Sequence, residues 1–168
     1  MPTQTDQHII DSLIGNGISF VTSVPCKQLA GVIDLVETSE QLMHVPCNKE
    51  DEGMGLCAGA YMGGRQTCII MQNTALGVVI NTLATLIQFY HIPLPMLISY
   101  RGKPGEKVAC QVEMALHTPA LLDQLHIPSY QFSNAADVHR LDGILAHAQM
   151  ARKPVAILTD ASFWSSAA

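Results

Sequence analysis

Two almost uninterrupted apolar runs, Gln66–Met71 and Leu94–Ser99, constrain the fold more than any other feature of the chain. A strand with apolar side chains on both faces belongs in a sheet covered on both sides, as parallel sheets are. The sequence around them alternates helix and strand. Ile9, Ile10, Leu13 and Ile14 fall at helical spacing, and Gly15–Asn16–Gly17 stops that helix. The β-branched run 18–24 ends at Pro25 and leads through Lys27 into a helix over about 27–38. A short strand is expected over 42–46. Asn48, a good N-cap with Asp51 three residues on, opens an acidic helix that runs to about Gly63. Leu76–Tyr90 reads as a long helix with Val79, Ile80, Leu83, Leu86 and Ile87 at core spacing. From Tyr100 to about residue 115 no period is visible, so a long loop is expected there. A short helix over Pro119–Leu125, a strand over Ser129–Phe132, a helix over Ala135–Met150 and a strand over Pro154–Thr159 complete the series. This predicts an α/β fold of three layers, α/β/α, around a six-stranded parallel sheet.

A chain of 168 residues holds one full core, so a single domain over 1–168 is expected. It is 48% hydrophobic and only 14% charged, with a mean hydropathy of +0.23, which implies apolar surface buried against a partner. No apolar run reaches the roughly 20 residues needed to span a bilayer. The N-terminal residues lack the pattern of a signal peptide, so a cytoplasmic location is expected. A net charge of −5 argues against a nucleic-acid surface. Cys26, Cys47, Cys57, Cys68 and Cys110 show neither CxxC nor Cys–His metal spacing and read as reduced thiols. Only Cys26, beside Pro25 at a strand end, stands near a possible site, and buried filler is the alternative there.

In an open parallel sheet, ligands sit beyond the strand C-termini. Those ends carry Pro25–Cys26–Lys27, Pro46 to Glu50, Gln72–Asn73–Thr74 and Tyr100–Arg101–Gly102. No GxGxxG follows the first strand, and neither GxxxxGK[ST] nor GxSxG occurs, which removes the common nucleotide and hydrolase readings. Gly55, Gly59 and Gly63 lie four apart on one face of the acidic helix. Each costs about 1 kcal/mol relative to alanine, so a close approach is expected, either by a neighbouring helix or by a partner chain. His44, His91, His117 and His126 form no ligand spacing. Of these, His117 alone falls near the expected functional loop, and no metal ligands are expected in this chain.

Taken together, Val24–Pro25–Cys26, Asn48–Lys49–Glu50 through Gly59, Met71 through Gly77, and Ser99–Tyr100–Arg101–Gly102 with Pro104–Gly105 resemble the pyrimidine-binding domain of thiamine-diphosphate decarboxylases. Within them the match is to the sulfopyruvate and phosphonopyruvate decarboxylase group. In length the chain is similar to a separate alpha subunit of the sulfopyruvate enzymes, and the resemblance covers about residues 5–160.

The resemblance implies the roles. In the family one glutamate hydrogen-bonds N1′ of the cofactor aminopyrimidine, favours its 4′-imino form and so assists removal of the thiazolium C2 proton, which suits a carboxyl group whose pKa burial raises. That glutamate lies nine residues before a helix glycine, which selects Glu50, before Gly59, over Glu52. Glu50, Gln72, Asn73 and Thr74 are then the cofactor-binding residues, although an ordinary turn with Thr74 as N-cap also fits the last three. Substrate contacts fall to Pro25, Lys27, Arg101 and Gln111. Lys27 departs from the small hydroxyl residue expected in relatives. Arg101 offers a planar fork to a sulfonate, phosphonate or carboxylate, or is a surface arginine. The family holds the diphosphate and Mg²⁺ on a second domain through Gly–Asp–Gly, which this sequence lacks. The expectation is therefore an alpha subunit, inactive alone, that decarboxylates 3-sulfopyruvate with a separate diphosphate-binding beta subunit. The alternatives are a phosphonopyruvate decarboxylase subunit, or a non-catalytic scaffold or ligand-sensing module.

Overall fold

The structure, a computed structural model, describes residues 2–166. Helix α1 (Gln4–Gly15) leads into strand β1 (Ile18–Ser23). A 3₁₀ turn (Lys27–Leu29) runs into α2 (Ala30–Thr38), followed by β2 (Met43–Pro46), α3 (Glu50–Met62) and β3 (Gln66–Gln72). A second 3₁₀ turn (Asn73–Ala75) opens α4 (Leu76–Thr82), which continues as a π-helical stretch (Leu83–Gln88) before β4 (Pro95–Ser99). Then come α5 (Cys110–Gln124), β5 (Ser129–Phe132), a 3₁₀ turn (Ala135–Arg140) into α6 (Leu141–Ala151), β6 (Val155–Thr159) and α7 (Ala161–Ser166). The six strands form one sheet in the order β2-β1-β3-β4-β6-β5, every neighbouring pair parallel. All six expected strands are present, with ends within a residue of those read from the sequence.

The pleat divides each central strand between two cores. Val21, Cys68, Ile70, Leu97 and Ile157 pack with α1, α2, α6 and α7 on one face. Phe20, Ile69, Met71, Met96, Ile98 and Leu158 pack with α3, α4 and α5 on the other. This double burial is why β3 and β4 read as continuous apolar runs. At the N-terminal edge of the sheet, His91, His126 and Arg152 take left-handed φ of 51–52° where helices turn into β4, β5 and β6.

Several local expectations need correction. Asn48 does not cap α3: the helix begins at Glu50, and the extended Lys49 before it makes no side-chain cap bond. Three first-turn carboxylates, Glu50, Asp51 and Glu52, suit the positive helix end without it. Thr74 is not an N-cap either, since the 3₁₀ turn already starts at Asn73. Ile80 is 37% exposed, because Leu76, Val79, Leu83 and Ile87 take the core-facing stripe, with Leu86 packed at its margin. The stretch expected to be a loop to residue 115 becomes helical at Cys110, with Pro119 inside α5. Proline cannot donate to the Ala115 carbonyl four residues back. The Tyr100 hydroxyl donates to that carbonyl instead, at 3.0 Å. Helix α7 was not expected; Asp160 Oδ1 accepts from the Ser162 and Phe163 N–H groups at 3.0 Å and secures its start. Among the described residues a Cβ at Gly55 or Gly59 would meet nothing within 4 Å, so no described helix accounts for the stripe there. The close approach falls at Gly53, where a Cβ would stand 3.1 Å from Thr22 Oγ1 and Ile69 Cδ1.

Candidate active site

The strand order creates two crevices at the C-terminal edge of the sheet. The chain leaves β1 over one face through α2 and leaves β3 over the other through α4, which opens the first between neighbouring strands. It leaves β4 through α5 and β6 through α7, again on opposite faces, which opens the second. The 25–27 segment and Gln72–Thr74 border the first crevice. Residues 100–108 and α7 border the second.

Asn73 ties the two together. Fully buried, it accepts from the Arg101 N–H through Oδ1 at 3.0 Å and donates through Nδ2 to the Arg101 carbonyl at 3.1 Å and to Thr118 Oγ1 at 3.0 Å. Thr118 in turn donates to the Met114 carbonyl at 2.7 Å. The Asn73 amide is thereby committed to fixing the tip of β4 against α5, while its half-buried neighbours Gln72 and Thr74 border the crevice.

Arg101 is also committed. Its Nε and Nη2 donate to the two carboxylate oxygens of Glu106 at 2.8 Å each, and its Nη1 donates to Gln72 Oε1 at 3.3 Å. Glu106 further accepts from the backbone N–H groups of Gly102, Lys107 and Val108 at 2.9–3.2 Å. The Arg101 guanidinium and these amides hold the Glu106 carboxyl far below the usual carboxylate range, at about 2. Gly102 allows the turn: its φ is +87°, and a Cβ there would run into the Gln111 carbonyl. Glu106 escaped the sequence reading; a carboxylate five residues from Arg101 in an aperiodic stretch carries no spacing signal.

Glu50 stands half-buried at the first position of α3, which packs over β1 and β3, and no hydrogen bond engages its carboxylate among the described residues. Glu52 is exposed. Pro25 and Lys27 are exposed after β1, and Lys27 lines cavities on both sides of its turn. Gln111, on the first turn of α5, keeps Oε1 buried without a partner. His117 is exposed on α5. Cys26 Sγ lies 3.1 Å from Ser99 Oγ and is buried. Beside it, His44 Nε2 is 2.8 Å from Ser23 Oγ, and burial holds the imidazole below its usual range. Burial raises the Cys57 thiol to about 11 and moves Cys68 upward too, so both are inert core groups.

Among the described residues no group of three or more His, Cys, Asp or Glu is placed to hold a metal ion, and no helix is long and apolar enough to cross a membrane. For thiamine diphosphate the donor set fits one end only. A free carboxylate and the polar side chains of Gln72 and Thr74 suit a pyrimidine ring, whereas the described residues present no cluster for a metal-bound diphosphate.

Fold and strand-end geometry define a parallel α/β domain whose candidate ligand-binding side chains gather at the C-terminal ends of its strands. No protein-family model matches the chain. Sulfopyruvate decarboxylase subunit alpha of Methanothermobacter thermautotrophicus is 38% identical over 98% of this chain and 100% of its own length. Its counterpart in Methanococcus maripaludis is 36% identical over 93% of this chain and 94% of its own. The chain belongs to this family of decarboxylase alpha subunits. A longer sulfopyruvate decarboxylase from Methanosarcina acetivorans is 27% identical over 96% of the chain, which covers 41% of that relative. Among solved structures, a 2-oxoglutarate:ferredoxin oxidoreductase from Magnetococcus marinus superposes with a TM-score of 0.71 at 16% identity, over 94% of this chain and 29% of that one, and shares the fold.

Proposed function

We propose that the chain is the pyrimidine-binding subunit of a thiamine-diphosphate-dependent enzyme that converts 3-sulfopyruvate to sulfoacetaldehyde and carbon dioxide. The observation that carries this reading is the end-to-end correspondence with sulfopyruvate decarboxylase alpha subunits, and the free carboxylate of Glu50 at the start of α3 supports it. Thiamine diphosphate, when bound, supplies the carbon nucleophile and the electron sink. Glu50 would hold the pyrimidine at N1′ and exchange a proton with it through its carboxyl oxygen, and Gln72 and Thr74 would line that ring. Asn73 acts beneath them by holding the Arg101 backbone in place. Pro25, Lys27 and Gln111 form the substrate side, and Arg101, engaged by Glu106, frames it.

The diphosphate and Mg²⁺ fall to a separate beta subunit. The relatives' designation as alpha subunits and the greater length of the Methanosarcina relative support that division, as does the lack of Gly–Asp–Gly in this sequence. The test is a pair of variants in the enzyme reconstituted with the beta subunit and Mg²⁺. Glu50→Gln keeps the size and hydrogen bonding of the side chain, so calorimetry should still detect cofactor binding. Turnover should fall by about 10² or more, the range that acid–base groups supply. Glu52→Gln should change little. If neither substitution affects turnover or C2–H exchange followed by NMR, the decarboxylase reading fails.

A further inference from the structure

The second crevice holds an open cavity of about 530 Å³. Lys27 and Gln28 line it from the β1 side, Tyr100 to Val108 from the end of β4, and Ala161 and Trp164 from α7. Four of the chain's nine lysines and arginines, Lys27, Arg101, Lys103 and Lys107, meet at this one concavity, and Glu106 is the single carboxylate among them. Glu106 is spent on Arg101 through both oxygens, so that pair is neutral. Lys27, Lys103 and Lys107 enter no ion pair among the described residues. In a chain of net charge −5, three unopposed ammonium groups around one cavity make a local field for an anion.

A second observation concerns neutral groups in the same wall. Gln28 Oε1 and Trp164 Nε1 are buried without a hydrogen-bond partner. Buried orphans of this kind are rare and mark places that a ligand, a water or a partner completes. Lys103 is held in place by the Tyr100 ring, with Nζ 4.8 Å from its centroid. Tyr100, Val108, Ala161 and Trp164 supply apolar surface for a short carbon chain.

We infer that this cavity is the subsite for the second anionic group of the substrate, a tetrahedral sulfonate on the carbon next to the oxo group, held by Lys27, Lys103 and Lys107. Arg101, which the sequence nominates for that task, is instead part of the frame. A guanidinium presents a planar two-pronged fork, and here Glu106 fills it. Three separate point charges suit a tripod of sulfonate oxygens better. The inference rests on the decarboxylase reading for the identity of the anion, and on the cavity alone for its location.

Trp164 is the only tryptophan of the chain, so its emission reports on the cavity directly. The free chain is titrated with sulfoacetate, phosphonoacetate and acetate at constant ionic strength. Sulfoacetate should change the emission saturably and acetate should not. Lys103→Met and Lys107→Met, which keep the apolar stem, should each weaken sulfoacetate binding about tenfold, as the loss of one charge-assisted hydrogen bond would. Lys153→Met, at the other end of the sheet, should titrate like wild type. In the reconstituted enzyme the first two variants should raise KM for sulfopyruvate and leave kcat nearly unchanged. Equal responses to acetate and sulfoacetate, or wild-type titrations by both lysine variants, overturn the subsite, and tighter binding of phosphonoacetate overturns the sulfonate assignment. A clean titration with an enzyme inactive on sulfopyruvate keeps the anion cavity and removes the decarboxylase reading; an active enzyme whose chain ignores sulfoacetate does the reverse.

Discussion

Glu106 shows how one carboxylate decides what its neighbours are free to do. By accepting from Arg101 and three backbone amides it converts an aperiodic stretch into a fixed wall. Its ionised form is what the fold binds, so the sign of the pH effect follows. The carboxyl titrates at about 2 in the folded chain against an ordinary 4.5. Its contribution is therefore complete above the ordinary value and is lost as pH falls through the folded one. The amide resonances of Gly102, Lys107 and Val108 should hold steady at pH 4.5 and begin to shift together as pH falls towards about 2, and in Glu106→Gln they should lie displaced in the same direction already at neutral pH. Resonances that stay put across that window would contradict the assignment. The sequence marks Arg101, Lys27 and Glu50 because strand ends and motif spacing single them out. It leaves Glu106 and Trp164 unmarked because only the folded backbone brings the turn after β4 and helix α7 to one cavity.

At the level of elements, strands were more legible than helices. A strand buried on both faces writes itself as an apolar run, as β3, β4 and β6 do; the half-exposed edge strands β2 and β5 show themselves only by their place in the alternation. The first half of α5 was illegible because Pro119 looks like a helix start, and α7 because six residues show no period. Proline inside α5 is tolerated through a bond that no local rule anticipates, from the Tyr100 hydroxyl to the Ala115 carbonyl. Removing that hydroxyl leaves a buried carbonyl unserved, so Tyr100→Phe should cost about 1–3 kcal/mol and lower Tm by several degrees. The Pro119→Ala background tests the cause, since alanine restores an N–H at the position that faces Ala115. Tyr100→Phe should cost less there than in wild type, and equal costs in both backgrounds would show that the hydroxyl does not substitute for the missing amide.

The whole molecule leaves unfinished surface on the α3 and α4 side. Met62, Val78 and Phe89 are 58–68% exposed there, and Leu56 and Tyr90 add to them. The glycine stripe of α3 faces outward on this side, with open space over Gly55 and Gly59. Apolar patches of this kind mark association surfaces, and a stable interface takes about 800 Å² from each partner. The apolar composition points to such a surface, although composition and spacing alone do not separate a neighbouring helix of this chain from a second chain. The structure removes the first. Gly59→Leu then discriminates sharply. Among the described residues a Cβ at position 59 meets nothing within 4 Å, and leucine gains up to about 1 kcal/mol of helix propensity over glycine, so the isolated fold should melt at the same or a higher temperature. A partner packed against the stripe would meet the full side chain. Sedimentation velocity at micromolar concentration, with the proposed beta subunit present, should show wild type only in assemblies and Gly59→Leu shifted towards free chains. A wild-type monomer under those conditions, or a Gly59→Leu variant that assembles as wild type does, would place the partner elsewhere.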